Sequence, residues 1–210
     1  MNYYNLIILD RSGSMTTIRN QAIAGVNETI GTIRAFARDN SDTCQHVSLM
    51  TFCGCSKGYV YDNIDVMKAV EFTTDMYTPC CSTPLYDAIG MACSKMLALT
   101  AGDPEAKVSV TIITDGYENA SQEWSHEAIG RLIKDLKSKG WLFAYIGADH
   151  DVEKVAISIN ISNSMTFCHD AEGTQAMFAK ESCSRKSWME RVKNVGASRM
   201  PYCNDGYFKE

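Results

Sequence analysis

Short runs of apolar, mostly β-branched residues alternate along the chain with longer segments of helical periodicity, and this alternation restricts the possible folds. The clearest runs are Tyr3–Asp10, Val108–Thr114 and Trp141–Ile146. Over Thr17–Asn40, apolar residues recur at spacings of three and four, as on one face of a long amphipathic helix. Strands that alternate with helices of this length build βαβ units. The sequence therefore predicts an α/β fold, with a doubly wound, mainly parallel sheet and helices on both faces.

The remaining segments continue this alternation and add one antiparallel edge strand. His46–Cys53 predicts a strand, and Tyr59–Asp62 is expected to return beside it as a hairpin because Gly54 and Gly58 bracket a turn. The other predicted elements are helices at Leu85–Leu99, His126–Lys139, Asp151–Ile159 and Gly173–Ser182, and a strand at Ser164–Phe167.

The C-terminal segment differs from the rest of the chain. Ser184–Glu210 shows no periodic apolar pattern, and its first part carries several basic residues, including Arg185 and Arg191. A chain of 210 residues is long enough for one sizeable core and short for two. We therefore predict one domain over residues 1–182 and a C-terminal extension over residues 183–210 that is partly mobile.

Charge and hydropathy argue against two classes of partner. Twenty basic against 25 acidic residues give a net charge of −5, and nucleic-acid binding depends on neutralising phosphates. The longest apolar stretches, Leu6–Leu9 and Trp141–Ala148, are far shorter than the ~18 residues that a bilayer span requires. No basic leader precedes Asp10. We expect a cytoplasmic protein that binds neither nucleic acid nor membrane.

Oxygen-bearing side chains cluster where the first predicted strand ends. Asp10, Ser12 and Ser14 are two residues apart, and alternate residues of an extended turn point the same way, so their oxygens can converge. Gly13 permits a sharp turn between the serines. Such donors carry little charge and suit Mg²⁺, which keeps waters and accepts one or two carboxylates. The alternative is a strand-to-helix turn in which Ser14 or Thr16 caps the long helix.

Two further segments add oxygen donors, and the one that follows a strand is expected at the same edge, because ligands of parallel sheets bind at the carboxyl ends of the strands. Asp115 follows a central predicted strand, and Thr83 stands at the predicted start of a helix. Asp10 and Asp115 on neighbouring strands would crowd two negative charges unless a cation lay between them. The alternatives are that Asp115 forms a turn before Gly116 and that Thr83 is a helix N-cap.

In combination, these motifs resemble the metal-ion-dependent adhesion site of von Willebrand factor type A (vWA) domains. Two longer segments, Thr83–Ile89 and Trp141–Ala148, are similar to segments of a bacterial and phage branch of stand-alone, intracellular vWA proteins, and the resemblance covers roughly residues 1–182. The adhesion-site resemblance lies in Leu9–Met15, Thr83–Leu85 and Ile113–Gly116.

The resemblance implies a Rossmann-like vWA fold with a Mg²⁺ ion, or Mn²⁺ or Ca²⁺, at the carboxyl edge of the sheet. It implies that the open position of this ion accepts an Asp or Glu carboxylate from a partner protein, so that the function is metal-dependent protein binding. In one departure, Cys80-Cys81-Ser82 stands where family members often have glycines before the threonine. The metal ligands implied by the resemblance are Asp10, Ser12, Ser14, Thr83 and Asp115.

Two hydrolase mechanisms are the alternatives to protein binding. Gly54–Gly58 matches the G-x-S-x-G pattern around Ser56, but a nucleophile elbow needs a following helix, whereas a strand is predicted here. A metal-assisted phosphoryl hydrolase could use Asp10 and Asp115. A phosphatase with an aspartyl nucleophile usually has a second acid, its general acid, two residues later, where this chain has Ser12.

We predict that the protein is not an enzyme. We assign no catalytic or cofactor-binding residue and no role to the histidines.

The nine cysteines cannot all pair within one chain, because their number is odd. Cys53 and Cys55 follow the second predicted strand, and Cys80 and Cys81 precede Thr83, so the two loops can approach one another at the carboxyl edge. Four thiols would suit Zn²⁺, although these spacings are not the usual ones. The other interpretations are small buried hydrophobic side chains and a disulfide formed on oxidation.

Overall fold

Six strands and five α-helices alternate along residues 1–148, 151–195 and 206–209, the parts of the chain that the computed structural model describes. Among these residues, no helix is both long enough and apolar enough to cross a bilayer. The strands are β1 Asn2–Asp10, β2 Cys44–Cys53, β3 Ser56–Asp65, β4 Lys107–Thr114, β5 Leu142–Gly147 and β6 Asn163–Thr166. The helices are α1 Arg19–Asp39, α2 Leu85–Thr100, α3 His126–Ser138, α4 Val152–Ser158 and α5 Ala171–Val195.

The strands form one sheet in the order β3-β2-β1-β4-β5-β6. All neighbouring pairs are parallel except β2 and β3, which form the antiparallel hairpin at the edge. The predicted fold class is confirmed. The strand order reverses between β1 and β4, and in sheets of this kind ligands bind at the carboxyl ends of the strands at such a switch point. The ends of β1 and β4, at Asp10 and Thr114, are therefore where a site is expected.

Alternate side chains of β1 pack into two separate hydrophobic cores, one on each face of the sheet. Tyr3, Ile7 and Leu9 pack with apolar residues of α1 and α5 on one face of the sheet. Leu6 and Ile8 pack with residues of α2, α3 and α4 on the other face. Because both faces are covered by helices, the central strands are apolar along nearly their whole length.

Helix α5 is longer than the sequence pattern predicts. It spans Ala171–Val195 and continues without a break past Ser182, where the sequence pattern predicts the end of both the last helix and the domain. Beyond that point, Trp188, Met189 and Val192 are buried in the core between α1, α5 and the sheet. Of the predicted extension, residues 196–205 and 210 lie outside the described ones, and its mobility stays a prediction.

A buried ion pair anchors α5 to the sheet. Arg185 is fully buried, and its guanidinium donates to Oε1 of Glu181 from Nε at 2.9 Å and from Nη2 at 2.7 Å. The same guanidinium donates to the hydroxyl of Thr111 on β4 at 2.7 Å and to Oδ1 of Asn5 on β1 at 2.9 Å. The hydroxyl of Tyr207 donates to Glu181 at 3.2 Å. A charged residue in the predicted extension is therefore part of the core.

Two glycines of α1 should respond oppositely to alanine. A Cβ on Gly25 would lie 1.9 Å from the ring of Phe178 on α5, whereas a Cβ on Gly31 would meet nothing within 4 Å. We expect Gly25→Ala to destabilise the protein by about 1–3 kcal/mol through overpacking. Gly31→Ala should stabilise it by up to about 1 kcal/mol through helix propensity. Urea unfolding of the two variants checks this, and a loss of stability in both would contradict the packing described for α1 and α5.

Candidate metal centre

Asp10 is the last residue of β1, and its side chain is fully buried at the carboxyl edge of the sheet. Its Oδ1 accepts a hydrogen bond from the backbone N–H of Ser12 at 2.6 Å, and its Oδ2 accepts one from the hydroxyl of Thr114 at 2.7 Å. Burial raises the pKa of Asp10 to about 6, these hydrogen bonds oppose the rise, and the charge of Asp115 adds to it. The carboxylate is thus held in one orientation in surroundings that disfavour its charge.

The hydroxyls of Ser12 and Ser14 connect Asp10 to the end of β4. Ser12 Oγ lies 3.1 Å from Ser14 Oγ, and Ser14 Oγ donates to Oδ1 of Asp115 at 2.6 Å. In this part of the described chain, neither Ser14 nor Thr16 caps a helix, and Thr16 donates instead to a backbone carbonyl. The capping interpretation is therefore wrong for this turn, and the structure brings the oxygens of the first motif together with Asp115.

Thr83 reaches the same edge from the loop before α2. The N-cap of α2 is Pro84, and Thr83 therefore does not cap this helix. Its backbone is held by Asn119, whose Oδ1 accepts from the N–H of Thr83 at 2.8 Å and whose own N–H donates to the carbonyl of Thr83 at 3.1 Å. A Cβ placed on Gly116 would lie 3.8 Å from Thr83 Oγ1 and 3.9 Å from Ser14 Oγ. These two hydroxyls therefore flank the backbone that follows Asp115.

The three loops are joined by backbone hydrogen bonds. Gly13 N–H donates to the carbonyl of Cys81 at 3.0 Å, and Cys80 N–H donates to the carbonyl of Arg11 at 2.9 Å. Gly54 N–H, in the turn after β2, donates to the carbonyl of Ser82 at 2.8 Å. The loop that carries Thr83 is thereby fixed against both the first motif and the β2–β3 turn.

The donor set of these residues suits a hard divalent cation. It consists of two carboxylates and three hydroxyls, and hard oxygen ligands with one or two carboxylates are what Mg²⁺ takes in proteins. The two carboxylates interact electrostatically, since Asp115 raises the pKa of Asp10. A cation between them would remove that repulsion. All five residues that the vWA resemblance implies as ligands lie at this edge: Asp10, Ser12, Ser14 and Thr83 at its loops, and Asp115 after β4.

Solved structures match the chain over most of its length. The VWA domain of SpRpn10 matches with a TM-score of 0.56 and 12% identity, over 85% of this chain and 94% of that chain. The chain has the fold of a vWA domain. Manganese-loaded TRAP of Plasmodium vivax matches this vWA fold with a TM-score of 0.56 and 18% identity, over 84% of this chain and 71% of that chain.

A third match extends the vWA fold to nearly the whole chain. The vWF domain of the type V pili tip protein Mfa5 from Porphyromonas gingivalis matches with a TM-score of 0.59 and 11% identity, over 94% of this chain and 97% of that chain. At these identities the likeness concerns the fold alone. By sequence, neither a protein-family model nor a curated protein matches the chain.

Two residues at this edge of the vWA fold were missed by the sequence analysis. His169 Nε2 lies 3.1 Å from Asp115 Oδ2 and 3.1 Å from the hydroxyl of Thr17. The hydroxyl of Tyr77 donates to the backbone carbonyl of Asp10 at 2.5 Å, and burial raises the pKa of Tyr77 well above its ordinary value. His169 follows β6, so extending the rule about strand ends to the last strand would have found it. Tyr77 lies in an irregular loop that gives no such signal.

Ser56 does not sit in a nucleophile elbow. It is exposed, begins β3 and pairs with Cys53 across the antiparallel hairpin. An elbow places its serine between a strand and a helix. The sequence prediction of a hairpin at this point is confirmed, and the G-x-S-x-G match is a feature of the turn and the start of β3.

Proposed function

We propose that this protein is a metal-dependent protein-binding module of the vWA type. The proposed ion is Mg²⁺, or Mn²⁺ or Ca²⁺, and the proposed partner is another protein that offers an Asp or Glu carboxylate. The observation that carries the proposal is the meeting of Ser12, Ser14 and Asp115, with Ser14 Oγ 2.6 Å from the Asp115 carboxylate, at the point where the strand order reverses. The proposed ligands are Asp10, Ser12, Ser14, Thr83 and Asp115.

The charge balance of this ligand set favours an anionic partner. Asp10 and Asp115 supply two negative charges, and the three hydroxyls supply none, so a divalent ion held here would be neutralised but not overcompensated. The ion would supply a positive centre that can exchange a water for a third carboxylate. The hydrogen bonds that hold Asp10 and Thr83 keep the protein ligands in place during that exchange.

The surface next to the site is suited to a protein interface. Tyr117, two residues after Asp115, is 56% exposed, and its hydroxyl accepts from the backbone N–H of Asp151 at 3.3 Å. Tyrosine combines a large apolar ring with a polar tip and is enriched at interfaces. Tyr117 therefore offers a partner an exposed aromatic surface close in sequence to Asp115.

The proposed setting is the cytoplasm, within the bacterial and phage branch of stand-alone vWA proteins. The nine cysteines are compatible with this setting, because an odd number cannot form a fully paired disulfide framework within one chain. We propose no nucleic-acid or membrane partner and no catalysis.

A peptide selection tests the proposed function for any partner that offers an acidic side chain. A random peptide library displayed on phage is selected on the wild-type protein in Mg²⁺. The enriched peptides should contain Asp or Glu, lose binding in EDTA, regain it with Mg²⁺ and lose it when that acid is changed to the amide. The same peptides should not bind Asp115→Ala.

Two outcomes would speak against the proposal. Peptides that bind equally well in EDTA would show that the ion is not part of recognition. Hydrolysis of phosphate esters that requires both Mg²⁺ and Asp10 would favour the phosphoryl hydrolase instead, and ester hydrolysis lost in Ser56→Ala would favour the serine hydrolase.

A further inference from the structure

Three sulfur atoms from two different loops meet at the carboxyl edge of the sheet. Cys53 ends β2, Cys55 lies in the turn to β3, and Cys80 belongs to the loop before Thr83. The Sγ–Sγ distances are 3.3 Å for Cys53 and Cys55, 3.5 Å for Cys53 and Cys80, and 3.2 Å for Cys55 and Cys80. All three are free thiols, and their sulfurs lie close enough together to ligate a single ion.

This triangle of sulfurs is close to the size that a thiolate metal site requires. A Zn–S bond is about 2.3 Å long, so the sulfurs of a tetrahedral site are about 3.8 Å apart. The observed edges are a few tenths of an ångström shorter. An ion roughly 1.3 Å above the plane of such a triangle would still lie about 2.3 Å from every sulfur. The geometry points to three ligands that converge on one position.

A permanent positive charge lies against the cluster. Nη2 of Arg11 is 3.3 Å from Sγ of Cys53. A guanidinium stays charged at all working pH values and interacts far more strongly with a thiolate than with a thiol. Thiolates that bind a divalent ion leave the site with a net negative charge. Arg11 would offset that charge, as outer-shell groups do in metal sites.

Cys81 holds a backbone conformation that favours glycine. Its φ is 62°, in the left-handed region that non-glycine residues rarely adopt. Its thiol is exposed, and it belongs to the residue that directly follows Cys80 in the loop before α2. Backbone strain of this kind persists where the surroundings impose it and often marks a functional position. A thiol retained at this position can supply the fourth ligand.

We propose that these cysteines form a Zn²⁺ site that is separate from the oxygen site of Asp10 and Asp115. Binding displaces the proton of each thiol to solvent, and no oxidation or reduction takes place. Thiolate ligands favour Zn²⁺ over Mg²⁺, whereas an oxygen site suits Mg²⁺ when that ion is in excess. The bound ion would tie the β2–β3 turn to the loop that carries Thr83. Three of the proposed ligands are the converging sulfurs of Cys53, Cys55 and Cys80. The proposed fourth ligand is Cys81, in the left-handed turn next to Cys80.

Titration of the full chain with metal ions tests the site. Protein purified in reductant is freed of bound metal with a chelator and then titrated with Zn²⁺ by calorimetry. Elemental analysis measures the zinc content of the titrated protein. We expect one Zn²⁺ per chain in the presence of excess Mg²⁺. Titration with Cd²⁺ should produce an ultraviolet absorption band of thiolate-to-metal charge transfer, because the ligands are sulfurs.

Three single variants locate the ion. Cys55→Ser changes an exposed turn residue and should lower zinc affinity by more than about 100-fold, since even outer-shell partners contribute roughly 10–100-fold. Cys44→Ser changes an exposed thiol at the start of β2 and should bind zinc like the wild type. Cys81→Gly should lose zinc affinity although the zinc-free protein melts at the same or a higher temperature, because glycine tolerates the left-handed backbone.

Other results would overturn the proposal. Less than one zinc per chain in the reduced wild type, or equal zinc affinity in Cys55→Ser and Cys44→Ser, would leave the thiols as packing residues. Zinc binding that survives Cys55→Ser but is lost in Asp10→Asn would place the zinc at the oxygen site. Unchanged affinity in Cys81→Gly would refute Cys81 as the fourth ligand.

Discussion

Asp115→Ala should lower the affinity of the protein for Mg²⁺ by about 100-fold, which corresponds to roughly 2.8 kcal/mol of binding free energy. Asp115 follows β4, is almost fully buried, and accepts the hydrogen bond of Ser14 at 2.6 Å. It is one of only two carboxylates in the proposed ligand set. Its removal leaves a single negative charge to hold a divalent ion that is reluctant to lose its waters.

The same variant separates metal binding from folding. The charge of Asp115 raises the pKa of the buried Asp10, so the two carboxylates destabilise each other when no cation is bound. Removing Asp115 relieves this repulsion. We therefore expect the metal-free variant to keep the circular dichroism spectrum of the wild type while its Mg²⁺ affinity falls.

Calorimetric titration with Mg²⁺ measures the effect, and Asp135→Ala is the matched control. Asp135 is exposed on α3, and its replacement changes the net charge by the same amount as Asp115→Ala. The control should bind Mg²⁺ like the wild type. Equal affinity in all three proteins would exclude Asp115 as a ligand and with it the proposed metal centre.

The first motif could be recognised from sequence because its residues are contiguous and begin where an apolar strand ends. Asp10 closes β1, and the turn after it carries both serines. Asp115 is distant in sequence, but the rule that ligands lie at the carboxyl ends of parallel strands places it at the same edge. Thr83 follows no parallel strand, and only the vWA resemblance implied that it would join them. The strand order, with its reversal between β1 and β4, fits that rule.

The length of α5 could not be predicted because its buried face contains charged residues. A periodic apolar pattern counts Arg185 and Glu181 as solvent-exposed, and the predicted apolar stripe of the helix therefore ends near Ser182. In the structure, both side chains are buried because they neutralise each other and bond to polar groups of β1 and β4. Only the three-dimensional pairing, which the sequence does not display, makes their burial favourable.

The sequence also did not determine which cysteines of the β2–β3 turn and of the loop before Thr83 would lie close together. The expected topology brings the β2–β3 turn toward the loop before Thr83, but the pairing of individual thiols depends on loop conformation. Two backbone contacts decide it, from Gly54 to Ser82 and from Cys80 to Arg11. These contacts bring Cys55 within 3.2 Å of Cys80.

Arg185→Met should lower the free energy of unfolding by about 3–5 kcal/mol, because it leaves the carboxylate of Glu181 buried without its counter-charge. The side chains of Arg185 and Glu181 are 0% and 1% exposed, so water cannot replace the lost partner. Methionine keeps much of the length and volume of arginine, which limits the cavity. The loss of charge pairing is therefore the main effect of this substitution.

A double variant tests whether the destabilisation comes from the unpaired buried carboxylate of Glu181. Arg185→Met combined with Glu181→Leu removes both charges, and we expect it to be more stable than Arg185→Met alone, since replacing a buried ion pair by apolar residues is often neutral. Lys193→Met on the same helix is the control, because Lys193 pairs with Asp42 at a solvent-exposed position and should contribute much less to stability.

Urea unfolding of the wild type, the double variant and the three single variants measures these differences. If the double variant were as unstable as the sum of its two single variants, Arg185 would contribute through its separate contacts to Asn5 and Thr111 and not through the ion pair.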